Sequence, residues 1–263
     1  MGKKIIDGLL DAFVTLVCWV YFIGAFFVCF FPFYLAAACA GKNAERYFQL
    51  LNRTYYRGFF WLLKKLAPAQ KWFADSAIGT IRSSVVVCNH LSYLDPIWLV
   101  SLLARAKTVV KPVFFSVPIF GWVLRRAGYF PATTTGPHGK LMLDQMETMA
   151  QYLQEGGNVF IFPQGTRRKD GTVGNLIQGA FKIARFCKAP VYVLCIRNTE
   201  RLFKPGRFFF FARRPNRISI RIADVIDTSV VQFSVSELHA RVQASLELCI
   251  QEGSGQDDCE NAV

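Results

Sequence analysis

From Ala12 to Gly41 no residue carries a formal charge, and most are aliphatic or aromatic. A helix needs about 20 apolar residues to cross the hydrocarbon of a bilayer, and this run is longer than that. It also exceeds the apolar core of a signal peptide, although its "AAACAG" end imitates a cleavage site. Pro32 divides the run, which favours a kink or a helix-break-helix, so a single crossing and a re-entrant hairpin in one leaflet are both compatible with it. Lys3 and Lys4 precede the run, while Lys42, Arg46, Arg53, Arg57, Lys64 and Lys65 follow it. The heavier basic cluster predicts that the downstream domain lies on the cytoplasmic face of a membrane.

Composition agrees with an attached rather than a fully embedded protein. Over 263 residues the hydrophobic share is 52% and the mean hydropathy +0.27, high for a soluble enzyme and low for a bundle of spanning helices. The net charge of +13 favours anionic partners. Charge alone does not separate nucleic acid from anionic lipid; the apolar leader decides for an anionic membrane surface and against nucleic acid. The eight cysteines are scattered without a C-x-x-C pair or histidines at zinc-ligand spacing, which reads as buried thiols in a reducing compartment and no metal site.

Between Asn43 and Leu66 the apolar positions Ala44, Tyr47, Phe48, Leu51, Tyr55, Phe59, Leu62 and Leu66 recur every three or four residues, the period of an amphipathic helix. Its basic face suits an anionic lipid surface, or equally a solvated face of a helix packed on its own domain. After residue 66 short β-branched runs alternate with helical patterns. Strands are expected at Ser84–Cys88, Thr108–Phe115, Asn158–Phe162, Pro190–Ile196 and Arg217–Ala223. Helices are expected at Pro96–Ala104, Pro118–Ala127, Gly139–Glu155, Leu176–Cys187 and Val235–Gln251, the last opening with Ser234 and Glu237 at capping-box spacing. The alternation predicts an α/β domain over 67–252, with a mostly parallel sheet flanked by helices. Residues 1–66 form a membrane-inserting and amphipathic N-terminal segment, and 253–263 a polar, disordered tail.

In an α/β sheet, sites lie at the carboxyl ends of strands, and two loops fall there. In "SVVVCNHLSYLDP" a strand ends near Cys88, and Pro96 is well suited to begin a helix. His90 and Asp95, five residues apart, would diverge by about 140° on one continuous helix. The intervening turn lets Asp95 fold back to orient the imidazole, the base half of a hydrolase triad, with the nucleophile supplied by a substrate hydroxyl. In "NVFIFPQGTRR", Gly165, Thr166, Arg167 and Arg168 follow a buried strand and offer amides, a hydroxyl and guanidinium groups to a phosphate.

The blocks "NHLSYLD", "KPVFFSVPIFG", "FPQGTRR" and "APVYV", in this order over Val85–Val193, resemble the glycerolipid acyltransferase family, whose best-known members are the lysophosphatidate acyltransferases. The resemblance implies an α/β domain preceded by a membrane-inserting helical pair. It implies acyl transfer from a thioester on coenzyme A or acyl carrier protein to a lysolipid hydroxyl, with the thioester as co-substrate and no cofactor. It also implies His90 as general base, Asp95 as its orienting partner, Gly165, Thr166 and Arg167 at the acceptor's phosphate, and Lys111 as added positive charge.

Two positions depart from the family pattern. Gln164 stands where glutamate is usual, keeping hydrogen-bonding capacity to position the acceptor without the charge. After "GWVLRRAGYF" the chain reads "PATTTG" where an arginine is usual, leaving Arg125, Arg126 or Arg168 to replace it. The expected product is phosphatidate; the alternatives are acyl transfer to another lysolipid, such as a lysophospholipid or lyso-aminolipid, or a non-catalytic membrane adaptor. No G-x-S-x-G elbow supports a lipid hydrolase. The segment "RLFKPGRFFFFARRP", Arg201–Pro215, belongs to no motif and reads as a membrane-dipping loop or one more strand.

Overall fold

The uncharged run forms one long helix. The computed structural model describes residues 2–132, 139–165, 173–228 and 233–260, and its backbone is helical from Gly2 to Ala38. The segment is α-helical over Gly2–Val20 (α1), π-helical over Tyr21–Phe30 and α-helical again over Phe31–Ala38 (α2). Pro32 therefore neither breaks nor reverses the run. It sits in the first turn of α2, and the wide π-turns just upstream relax the backbone where the proline donor is missing. The reversal comes after the run, at the short 3-10 turn Gly41–Asn43, and Ala44–Leu66 (α3) returns alongside. Tyr21 stacks on Tyr55 at 5.4 Å, and the Tyr34 hydroxyl donates to Asn52 Oδ1 at 2.6 Å, so the pair is an antiparallel helical hairpin. Gly58 gives room to the Tyr21 hydroxyl, which a Cβ there would overlap.

The buried face of α3 is Ala44, Phe48, Gln49, Asn52, Tyr55, Phe59, Phe60 and Leu63, and Tyr47, expected inside, is exposed. Polar Gln49 and Asn52 go inside because they find partners there: Gln49 donates to Ala127 O and accepts from the Tyr152 hydroxyl. Glu45 accepts from the buried Lys107 ammonium at 2.9 Å, which fixes α3 to the sheet.

Seven strands are described: Gln70–Ala74 (β1), Val85–Cys88 (β2), Ala106–Val110 (β3), Phe130–Pro131 (β4), Asn158–Ile161 (β5), Val191–Arg197 (β6) and Asn216–Ile226 (β7). They join in the order β1-β7-β6-β2-β5-β3-β4, parallel at every step except β6 against β7. The fold is α/β with a mostly parallel sheet. β1 lies in a stretch the sequence marks only as a boundary; it is a mixed polar edge strand without alternation. β3 ends earlier than expected because Pro112 cannot donate to a ladder, and a 3-10 turn, Pro112–Ser116, takes over.

Side chains alternate across β2, and this divides the core in two. Val86 and Cys88 face Phe59, Phe60 and Leu63 of α3 and Trp98 and Leu99 of Leu94–Leu102 (α4). Val85 and Val87 face the opposite helices, with Tyr152 of Gly139–Gln154 (α6), Phe181 of Gly179–Cys187 (α7) and Val242 of Val235–Glu260 (α9). Val123 and Ala127, in and just after Phe120–Arg126 (α5), clasp Tyr34 and Phe48 of the hairpin. α9 keeps helical backbone on to Glu260, past the point where polar composition predicts a tail, because propagation adds one hydrogen bond per residue fixed.

Candidate active site

Parallel pairing of β2 with β5 (Val87 beside Ile161) and of β2 with β6 (Cys88 beside Leu194) brings three carboxyl ends to one edge. Three loops meet there: 89–93 after β2, 162–165 after β5, and the turn into the short helix Thr199–Leu202 (α8) after β6.

The first loop is held to β6 by Asn89. Its side chain donates to Ile196 O at 2.8 Å and accepts from Ile196 N–H at 2.7 Å, extending the ladder one step past the strand. α4 begins at Leu94, with Asp95 in its first turn and fully buried. Four donors converge on the Asp95 carboxylate. Oδ2 accepts from Leu91 N–H (2.6 Å) and Ser92 N–H (2.7 Å) and lies 2.9 Å from His90 Nδ1, while Oδ1 accepts from the Thr199 hydroxyl (2.6 Å). An oxygen already receiving two amide protons interacts with Nδ1 only if that nitrogen donates, so the proton sits on Nδ1 and the lone pair on Nε2. The imidazole is 16% exposed and stacks on Phe162 at 4.3 Å between ring centroids. Tautomer and orientation are thereby fixed before any substrate arrives, as a general base requires.

The second loop locks onto the first. Gln164, 8% exposed, accepts from the His90 backbone N–H through Oε1 at 2.9 Å. Gly165 follows in the left-handed region at φ 64°, and a Cβ there would press on Ile177 Cδ1 at 2.8 Å, so the turn admits little but glycine.

The fold therefore brings together His90, Asp95, Gln164 and Gly165. Gln164, expected to position the acceptor, accepts from the His90 N–H and so holds the backbone of the histidine loop. Lys111 is exposed where β3 ends, beside β5 in the sheet. Thr166, Arg167 and Arg168, and all of "PATTTG" beyond Ala132, lie outside the described residues. The sequence reading missed Asn89, Phe162 and Thr199. Asn89 stood inside a quoted motif with nothing to mark its partner; Thr199 is 104 residues from Asp95, and no local signal connects them. The Arg201–Pro215 segment forms no strand among the described residues, its Phe208 and Phe209 being exposed and Phe210 buried. No group of three metal-ligating side chains occurs among the described residues.

Residues 75–197 match the protein-family model described as Acyltransferase. The chain is 34% identical over 122 residues to the chloroplastic 1-acyl-sn-glycerol-3-phosphate acyltransferase BAT2 of Brassica napus, covering 46% of this chain and 35% of that protein. It is 26% identical over 162 residues to the 1-acyl-sn-glycerol-3-phosphate acyltransferase of Pseudomonas aeruginosa, covering 61% of each. The chain spans 35% of the length of the Brassica napus relative and 34% of that of the chloroplastic 1-acyl-sn-glycerol-3-phosphate acyltransferase LPAT1 of Arabidopsis thaliana. The crystal structure of the 1-acyl-sn-glycerophosphate (LPA) acyltransferase PlsC from Thermotoga maritima superposes with a TM-score of 0.71 at 21% identity. That superposition covers 96% of this chain and 98% of the other, and it speaks for a shared fold.

Proposed function

We propose, from the match of residues 75–197 to the Acyltransferase family model and from the named relatives, that this chain is a membrane-bound enzyme acylating the free hydroxyl of lysophosphatidate to give phosphatidate. The observation that carries the reading is the His90–Asp95 pair, with Nδ1 tied down and the Nε2 lone pair at the carboxyl edge of the sheet.

In this reading the acceptor hydroxyl donates to Nε2 and attacks the carbonyl carbon of an acyl thioester on coenzyme A or acyl carrier protein. The new C–O bond forms as the hydroxyl proton passes to Nε2, and the imidazolium is stabilised by Asp95. Collapse of the tetrahedral intermediate breaks the C–S bond, and the thiolate leaves and takes up the proton. A thiolate is a good leaving group, so no covalent enzyme intermediate is needed. By the family resemblance, Gly165, Thr166, Arg167 and Arg168 hold the acceptor's phosphate, with Lys111 adding positive charge. The helical hairpin supports the membrane assignment: Ile5–Ala38 is long and apolar enough to span, and only 17% of its most apolar window is buried. The basic residues after the run favour a catalytic domain on the cytoplasmic face.

Purified full chain, incubated with labelled acyl-CoA and a panel of lysolipids, is expected to form phosphatidate from lysophosphatidate, and His90→Ala to form none. Free fatty acid as the only product would assign a hydrolase; unchanged turnover in His90→Ala would remove the histidine from the chemistry. A stronger response from a zwitterionic lysolipid would favour the second reading, acylation of another lysolipid. Gln164, in place of the family's usual glutamate, keeps that reading open.

A further inference from the structure

The Arg201–Pro215 loop takes no part in the chemistry above, yet it is tied to both the candidate site and the apolar helix. At its root, Phe203 O accepts from Ser92 Oγ at 2.7 Å, and the Phe203 ring stacks on Phe210 at 4.4 Å. Ser92 belongs to the turn that carries His90. At its outer end, Phe208 stacks on Trp19 of α1 with centroids 5.2 Å apart and planes 8° from parallel. The Phe210 N–H donates to Thr15 Oγ1 at 3.0 Å and the Arg213 N–H to Asp11 Oδ1 at 3.0 Å. The loop is thus a strap from the histidine turn to the apolar helix.

The outward side of the strap is apolar and flanked by cations. Phe208 and Phe209 are 59% and 53% exposed, with exposed Lys204 and Arg207 just before them. The neighbouring face of α1 exposes Leu9, Phe13, Leu16 and Val20, a helical stripe continuous with the phenylalanine pair through Trp19. Asp7 pairs with the Arg213 guanidinium at 3.6 Å and Asp11 accepts from the Arg213 backbone N–H, while Lys204 and Arg207 form no ion pair among the described residues. Aromatic rings edged by lysine and arginine, continuous with a helix of membrane-spanning length, complement an anionic bilayer surface.

We propose that this loop is a second membrane-contacting element: Phe208 and Phe209 enter an anionic leaflet, Lys204 and Arg207 hold its head groups, and the strap seats the His90 turn at the height of a lipid's hydroxyl. The last clause rests on the acyltransferase reading; the membrane contact does not. Two measurements test it. In the full chain on vesicles of phosphatidylcholine with about a fifth phosphatidylglycerol, Phe209→Trp adds fluorescence that acyl-chain-brominated lipids quench beyond the wild-type level, and Lys204→Glu with Arg207→Glu reduces that quenching. Phe209→Glu, which leaves the Phe208–Trp19 stack in place, lowers turnover of vesicle-borne acceptor about tenfold while turnover of a monomeric short-chain acceptor stays within about twofold. No added quenching, a parallel loss on both acceptors, or crosslinking of two copies through residue 209 would overturn the proposal. If the wild-type chain acylates neither acceptor, the enzymatic reading fails, and the quenching alone decides the membrane contact.

Discussion

Four donors on one carboxylate are a strong constraint at the scale of single residues. The longer side chain of glutamate would carry its carboxylate past these donors, because two of them are backbone amides of Asp95's own turn. Thr199 supplies the fourth bond from another strand end and acts through Asp95 as a positioning residue. Thr199→Val is expected to lower kcat about tenfold with KM nearly unchanged, and Thr199→Ser to restore it. A purely structural role would instead lower the melting temperature in both variants without that split. Gln164 offers a second case. Glutamate at this position still accepts from the His90 N–H, so Gln164→Glu keeps wild-type stability, whereas Gln164→Ala loses about 1–2 kcal/mol in chemical denaturation.

At the scale of elements, two attachments outside the site set how the helices sit. Among the described residues the buried Lys107 ammonium has one carboxylate partner, Glu45, and it lies over the Tyr152 ring at 4.2 Å. Glu45→Ala leaves that charge buried against the Tyr152 and Phe130 rings without its carboxylate. The expected loss is about 2–3 kcal/mol in a denaturant titration, while Glu45→Ala with Lys107→Met recovers most of it. The start of α9 is a capping box: Ser234 N–H donates to Glu237 Oε2 at 2.7 Å and Glu237 N–H to Ser234 Oγ at 3.1 Å. The bond from the Ser234 backbone holds the Glu237 carboxyl below its ordinary value of 4.5. A depressed folded-state value means stability that is present above pH 4.5 and lost as the pH falls through the lower folded value. Glu237→Gln is therefore expected to flatten the acid limb of the melting temperature against pH.

For the whole molecule, the N-terminal hairpin packs as part of the α/β domain. Phe59, Phe60 and Leu63 of α3 are buried against the sheet, and β1 completes it through β7. A chain starting at Asp75, where the family match begins, is expected to lose cooperative unfolding by circular dichroism, because it uncovers one face of the sheet and the β7 edge. The sequence by itself determined the α/β class, the long apolar helix, most strand positions and the pairing of His90 with Asp95. Each of these follows from a local period or from a turn bounded by few residues. It did not reveal that Pro32 leaves the helix unbroken, that Gln164 supports the histidine loop, that Thr199 completes the carboxylate's bonds, or that the Phe208 loop straps the site to α1. Those depend on which strand ends become neighbours, and the order β6-β2-β5 is decided by long-range packing that no short stretch of sequence records.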